Sequence, residues 1–329
     1  MNYTRRELGK LALAALPATR LAAKPNSNFG GVQIGIIASY SYRQMPNAND
    51  GVAILKYLVD NGLSAAELSP GLAEVWAGAP AQGGAGGAGA RRGAPAPGAG
   101  RGAGGGGGRG PMTPEQVAAA AALKKWRLSA SVDRFKAFRK MYNDAGVNIY
   151  EVRILPDMSM SDDEYEYAFT MAAALGANQI GGELPTDLAH TRRLGDFAVK
   201  HKMVVAYHAH LQATIKLWDE ALAQSKGNAV QLDIGHYVAG TGLSPIPVME
   251  KLHDRIANLH LKDRMTPAHG QKNVPWGTGD TPIKEVLLFM RKNGHKFPAG
   301  IELEYEIPAG SDAVAEVGKC VEYCRNALA

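Results

Sequence analysis

Eight short apolar segments, each followed by a stretch with helical spacing, constrain this chain more than any other feature. They fall at residues 32–39, 64–68, 147–154, 178–183, 203–208, 229–233, 256–261 and 300–305. Strands alternating with helices imply a parallel sheet with right-handed crossovers. Helix boundaries are marked as well. Ser161-Asp-Asp-Glu164 is a capping box that opens a helix running through Leu175. Thr186 and Ser311 are the expected caps of the next helix and of the last one. Gly62, Gly146, Gly176 and Gly294 stand where helices should stop. No glycine-rich dinucleotide fingerprint follows the first strand, so eight such units favour a closed (β/α)8 barrel over a doubly wound sheet.

Two parts of the 329 residues fall outside that pattern. Residues 1–23 hold Arg5 and Arg6, then an apolar run from Leu11 to Leu16, then small residues near Ala23. This reads as a twin-arginine export signal, too short to span a bilayer as a permanent helix. A soluble, exported or periplasmic protein without a stable membrane anchor is therefore expected. The second part, residues 77–111, is almost entirely Gly, Ala, Pro and Arg. It cannot bury enough apolar surface to offset its ordering entropy and is expected to be a disordered insertion after the second strand. Removing both leaves about 270 residues, the usual size of such a barrel.

The formal net charge of +5 is carried by those two parts. The leader is net +3 and the segment 78–111 net +4, which leaves the body at −2. Nothing in that body suggests a nucleic-acid footprint. Cys320 and Cys324, four apart on the last helix, are neighbours whose disulfide would be strained, so they read as packing residues.

In a (β/α)8 barrel the active site lies at the C-terminal ends of the strands, and ionisable residues concentrate there. The stretch Asn-Leu-His-Leu-Lys-Asp-Arg at 258–264 alternates as a strand does, yet one face carries His260 and Lys262. Glu67 ends the second strand, Glu183 the fourth, His208 and His210 the fifth, Asp233 and His236 the sixth, and Glu302, Glu304 and Glu306 the eighth. Carboxylates and imidazoles without clustered cysteine describe a site for Mn, Mg, Zn or Co. Singly, Asp233 could cap a helix, His236 could sit in a loop, and Glu67 could hydrogen-bond within the barrel mouth; Glu306 and His253 read as surface residues. Burying the whole set together without a cation would cost several kcal/mol per charge.

Taken in order, Tyr207-His-Ala-His210, Asp233-Ile-Gly-His236, His260-Leu-Lys-Asp263, Trp276-Gly-Thr-Gly-Asp280 and Leu303-Glu-Tyr-Glu306 resemble the xylose-isomerase-like barrels of the sugar phosphate isomerase/epimerase superfamily. The resemblance covers residues 32–328 apart from the insertion. It implies one divalent metal held by four side chains, of which Asp233, His260 and Glu304 would be three, with Glu302 the rival of Glu304. Epimerase-like members supply the fourth ligand as a Glu on strand five. This chain has His208 and His210 there, so the fourth ligand is either Glu183 or His208. The Tyr-His-x-His strand is nearer to the inosose-dehydratase type.

The chemistry expected of such a site is abstraction of a proton next to a sugar carbonyl, with the developing oxyanion stabilised by the cation. His208 and His210 are candidate bases, because imidazole titrates near neutral pH. Lys262 and His236 suit holding hydroxyls or the oxyanion. Return of the proton gives isomerisation or epimerisation, and loss of a β-substituent gives elimination. No glycine-rich phosphate cradle or arginine cluster is evident at the strand ends, and the export signal points the same way. A neutral keto-sugar, cyclitol or keto-glycoside is therefore the expected substrate, with Trp276 either stacking on it or packing a lid. Trp76 and Trp126, which flank the insertion, either border the pocket or anchor its ends. A non-catalytic carbohydrate-binding barrel is the alternative. An endonuclease-IV-type nuclease shares the architecture, but the body charge argues against it. A homodimer is compatible with the sequence.

Overall fold

The computed structural model describes residues 24–80 and 113–329; the expected export leader and nearly all of the glycine-rich insertion lie outside them. Strand β1 (Asn28–Phe29) pairs antiparallel with β2 (Val32–Ile37) through Gly30 and Gly31. Both glycines have positive φ, as a two-residue hairpin turn requires.

From β2 onward the sheet is parallel and follows chain order: β3 (Ala65–Leu68), β4 (Asn148–Val152), β5 (Gln179–Glu183), β6 (Val204–His208), β7 (Asn228–Asp233), β8 (Ile256–Leu261) and β9 (Ala299–Ile301). Pairing of β2 with β9, Ile34 opposite Ala299 and Ile36 opposite Ile301, closes the eight strands into a barrel. The chain is a (β/α)8 barrel, and the segment 81–112 falls between its second and third strands.

The helices are α1 (Ala38–Ser41), α2 (Gly51–Asp60), α3 (Pro70–Trp76), α4 (Pro114–Ser129), α5 (Val132–Asp144), α6 (Asp162–Leu175), α7 (Leu188–Lys200), α8 (Asp219–Gln224), α9 (Ile234–Thr241), α10 (Ile246–Leu252), α11 (Ile283–Asn293) and α12 (Ala313–Ala327). The Ser161 and Glu164 capping box opens α6, and Gly176 closes it with φ of 90°. Two expected caps are displaced by one residue. Asp187, not Thr186, accepts the Ala189 N–H and caps α7; Asp312, not Ser311, accepts the Ala315 N–H and caps α12. In both places a carboxylate follows the hydroxyl and is the stronger acceptor for a helix N-terminus. Ser311 donates instead to Glu316.

The last strand is shorter than the expected 300–305. Its ladder stops at Ile301 because Ser41 Oγ, not a strand neighbour, takes the Leu303 N–H at 3.1 Å. This frees Glu302 and Glu304 to turn into the barrel mouth.

The apolar core lies between strands and helices; the barrel interior is polar. Opposite Ala66 and Glu67, β4 slips by one residue at Tyr150, a bulge that turns both Tyr150 and Glu151 inward. Tyr150 fills the space left by two glycines: a Cβ on Gly35 or Gly300 would stand 2.7 Å from its ring or hydroxyl. Glu151 accepts from Gln231 Nε2 at 2.9 and 3.0 Å and from Asn258 Nδ2 at 2.5 Å, while Asn258 also donates to Gln179 Oε1.

Cys320 and Cys324 are buried and free, as packing residues. Trp76 and Trp126 lie edge-on against Phe138 and Phe135 of α5, in the outer helical layer. No helix among the described residues is long and apolar enough to cross a membrane.

Candidate active site at the barrel mouth

Period-two alternation carries the interior polar column of each strand up to its C-terminal end. On β7 it runs Gln231 then Asp233, on β8 Asn258 then His260, and past β9 Glu302 then Glu304. Because Asp233 pairs in register with His260, and His260 with Gly300, the three acid- and imidazole-bearing strand ends meet at one level.

Lys262 is the centre of this group. Its side chain is 2% exposed, and Nζ lies 2.9 Å from Asp233 Oδ2, 2.9 Å from Glu302 Oε2 and 2.5 Å from Glu304 Oε2. Burial opposes its charge, but the three carboxylates outweigh that and hold its pKa well above the usual lysine range. His236 Nε2 is 3.1 Å from the same Nζ, and its Nδ1 is 2.6 Å from Arg264. Burial, then Lys262 and Arg264, push His236 far below the usual histidine range, so its ring is neutral.

Asp233 does two jobs. Its Oδ1 accepts the His236 N–H and caps α9, the capping role that its position allowed. Its Oδ2 is buried without a hydrogen-bond partner, the Lys262 contact being an ion pair without hydrogen-bond geometry. His260 is held on both sides: Nε2 is 2.8 Å from Glu67 Oε2 and Nδ1 is 3.1 Å from Glu302 Oε2. Burial opposes a charge on this ring, yet Glu67 and Glu302 raise its pKa to about 10.

His208 is buried beside it, ring centroids 5.0 Å apart, and its Nδ1 has no hydrogen-bond partner. Burial, then Arg153 and His260, keep His208 neutral. His208, Asp233 and His260 each offer a donor atom within 4.8 Å of the others, and so do His208, His210 and His236. Neutral imidazole, carboxylate and two unpartnered buried donors fit a divalent cation.

Glu183 is turned elsewhere. It is half-exposed, pairs with Arg153 at 2.9 Å, and its Oε2 is 3.1 Å from His210 Nδ1. Of the two acids beyond β9, Glu302 reaches His260. Glu304 stands one step further out, where the Tyr40 hydroxyl donates to it at 3.0 Å. Glu306 and His253 are exposed, as expected.

Sequence reading passed over Tyr40, Arg153, Arg264, Gln231, Glu151 and Asn258. Gln231 and Asn258 were recoverable, since each lies two residues before a singled-out site residue on the same strand face. Arg153 and Arg264 both reach the strand ends, where the sequence showed no arginine cluster. Arg153 donates to Gln231 and Glu183, whereas Arg264 meets the neutral His236 ring and the Gln271 carbonyl, and its Nε has no hydrogen-bond partner. Trp276 packs edge-on against Tyr323 of α12, and its loop is tied down by Asp263, which accepts from Gly277, Gly279 and Thr281.

No protein-family model matches the chain, and no curated protein matches it in sequence. Solved structures do match its fold. A probable 3-DHS dehydratase, AsbF, from Bacillus anthracis is 13% identical, with 88% of this chain and 97% of that one covered and a TM-score of 0.56. A D-psicose 3-epimerase, solved in the presence of D-fructose, is 15% identical over 90% and 97%, with a TM-score of 0.53. A xylose isomerase domain protein from Planctomyces limnophilus is 14% identical over 83% and 90%, with a TM-score of 0.53. The fold is thus that of the xylose-isomerase-like barrels.

Proposed function

We propose that this protein is a divalent-metal-dependent sugar isomerase or epimerase, or a lyase of the same kind. Its substrate would be a neutral keto-sugar, cyclitol or keto-glycoside. The observation that carries this reading is the convergence of His208, Asp233 and His260, two of them with buried, unpartnered atoms, at the catalytic end of a barrel. Asp233, His260, His208 and Glu302 would hold the cation, with Glu304 one step further out. The cation would supply Lewis-acid polarisation of a carbonyl and adjacent hydroxyl, lowering the cost of removing the neighbouring carbon-bound proton.

The protein's own groups account for the rest. His210 is half-buried and so reachable by substrate, and the Glu183 carboxylate at its Nδ1 orients the ring and stabilises it when it takes a proton. The opposite nitrogen is the one available to the sugar. Lys262, fixed in its charged form by three acids, is a hydrogen-bond donor toward negative charge developing on oxygen.

The test is solvent-proton exchange at the carbon next to the carbonyl of a panel of keto-sugars in deuterated buffer with Mn2+. Deuterium incorporation, lost in His210→Asn, is expected. Binding of a sugar with no exchange would make this a carbohydrate-binding barrel.

A further inference from the structure

Glu67 ends β3, and His260 stands across the barrel on β8, with β2 and β9 between them. Their side chains still meet inside, Nε2 to Oε2 at 2.8 Å, with exposures of 2% and 1%. The same Glu67 oxygen accepts from Gln231 Nε2 at 3.1 Å, and Arg153 lies 3.8 Å from the other one. Gln231 thus aims the carboxylate from below while Glu151 in turn anchors Gln231.

With a cation bound, His260 would be a neutral imidazole, with one N–H and one lone pair. If the N–H faces Glu67, the lone pair at Nδ1 faces Glu302 Oε2 at 3.1 Å. Lone pair against carboxylate is repulsive unless a cation or a proton lies between them. Reversing the ring's protonation would set the lone pair against Glu67 and point an N–H at the donor cluster.

We infer that Glu67 is a positioning residue: by accepting the Nε2–H it fixes Nδ1 as the nitrogen that His260 presents to Glu302, and so sets the affinity of the proposed site for a divalent cation. The inference rests on the cation site proposed above. A carboxylate that holds the far nitrogen of a liganding histidine raises the basicity of the near one, and losing such a partner weakens metal binding about 10–100-fold.

The experiment is calorimetric titration of MnCl2 into the chelator-treated full chain, comparing wild type, Glu67→Gln, His260→Ala and the double variant. Glu67→Gln is expected to bind Mn2+ about 10–100-fold more weakly than wild type, and to add nothing further to His260→Ala. An unchanged Kd in Glu67→Gln, or an equal loss with and without His260, would overturn the inference while leaving the cation site standing. Wild type that binds no Mn2+ would remove both. Should Glu67→Gln fail to fold, 15N NMR of the Zn2+-loaded wild type decides: His260 protonated at Nε2 and liganded at Nδ1 is required, and the reverse pattern overturns it.

Discussion

Lys262 and Asp233 meet at 2.9 Å in a space that neither shares with solvent, Lys262 from beyond the end of β8 and Asp233 from the end of β7. The ammonium is a counter-charge within reach of the same carboxylates that would hold a metal. Replacing it with an apolar side chain should therefore make the protein depend on the metal for stability. Lys262→Met is expected to lose roughly 3–5 kcal/mol in chelator, the cost of stranding a buried charge, and to recover most of it with Mn2+. Thermal melts with EDTA and with Mn2+ read this out. A deficit that Mn2+ does not repair would mean that these acids do not form a cation site.

Glu183 and His210 make a separate claim. A carboxylate that orients a base contributes to proton transfer and not to metal retention. Glu183→Gln should keep its metal while the rate of substrate-proton exchange falls by roughly 10–10³-fold. Loss of metal in that variant would instead restore Glu183 to the ligand role that the family resemblance suggested.

The mouth of the barrel was legible in the sequence to the extent that strand alternation reveals it. Asp233, His260 and Lys262 stand out because polar residues recur at period two where a buried strand should be apolar. Glu302 and Glu304 could not be ranked that way, since both share the period. What separates them is the end of β9 at Ile301, set by a hydroxyl on α1 that no local pattern announces. Tyr150 and Glu151 were hidden for a related reason: a bulge breaks the alternation, and a one-residue slip is invisible to periodicity. Glu183 ends its strand as expected, but its partner Arg153 comes from a neighbouring strand, and contacts between strands are set by register.

Glu151 gives the protein a pH dependence of its own. Burial first, and the nearby Glu67 second, raise its pKa to about 8 from an ordinary value of 4.5. The folded state then keeps a proton that the unfolded chain has lost, so this contribution is fully present below pH 4.5 and declines as pH rises toward 8. Glu151→Gln keeps the shape without the titration. Its stability relative to wild type should rise by a few kcal/mol, roughly, between pH 5 and pH 8.5 in denaturant melts. A difference independent of pH would show that the carboxylate is ionised throughout.

Tyr150 and Gly300 test the packing beneath the site. A Cβ at 300 would lie 2.7 Å from the Tyr150 hydroxyl and 3.0 Å from Ile37 Cδ1. Gly300→Ala should cost about 1–3 kcal/mol in urea unfolding. Tyr150→Phe removes a buried hydroxyl that has no hydrogen-bond partner and should be nearly neutral. The double variant should regain part of the Gly300→Ala loss. Strict additivity would place the hydroxyl and the glycine out of contact.

Elemental analysis of the purified protein decides whether Asp233 and His260 belong to a metal site. Wild type and the Asp233→Ala/His260→Ala double variant would be measured side by side after reconstitution with Mn2+, Co2+ or Zn2+. About one equivalent of metal in wild type is expected, with none in the folded double variant. Wild type without metal, or a double variant that retains as much, would mean that Asp233 and His260 hold no cation.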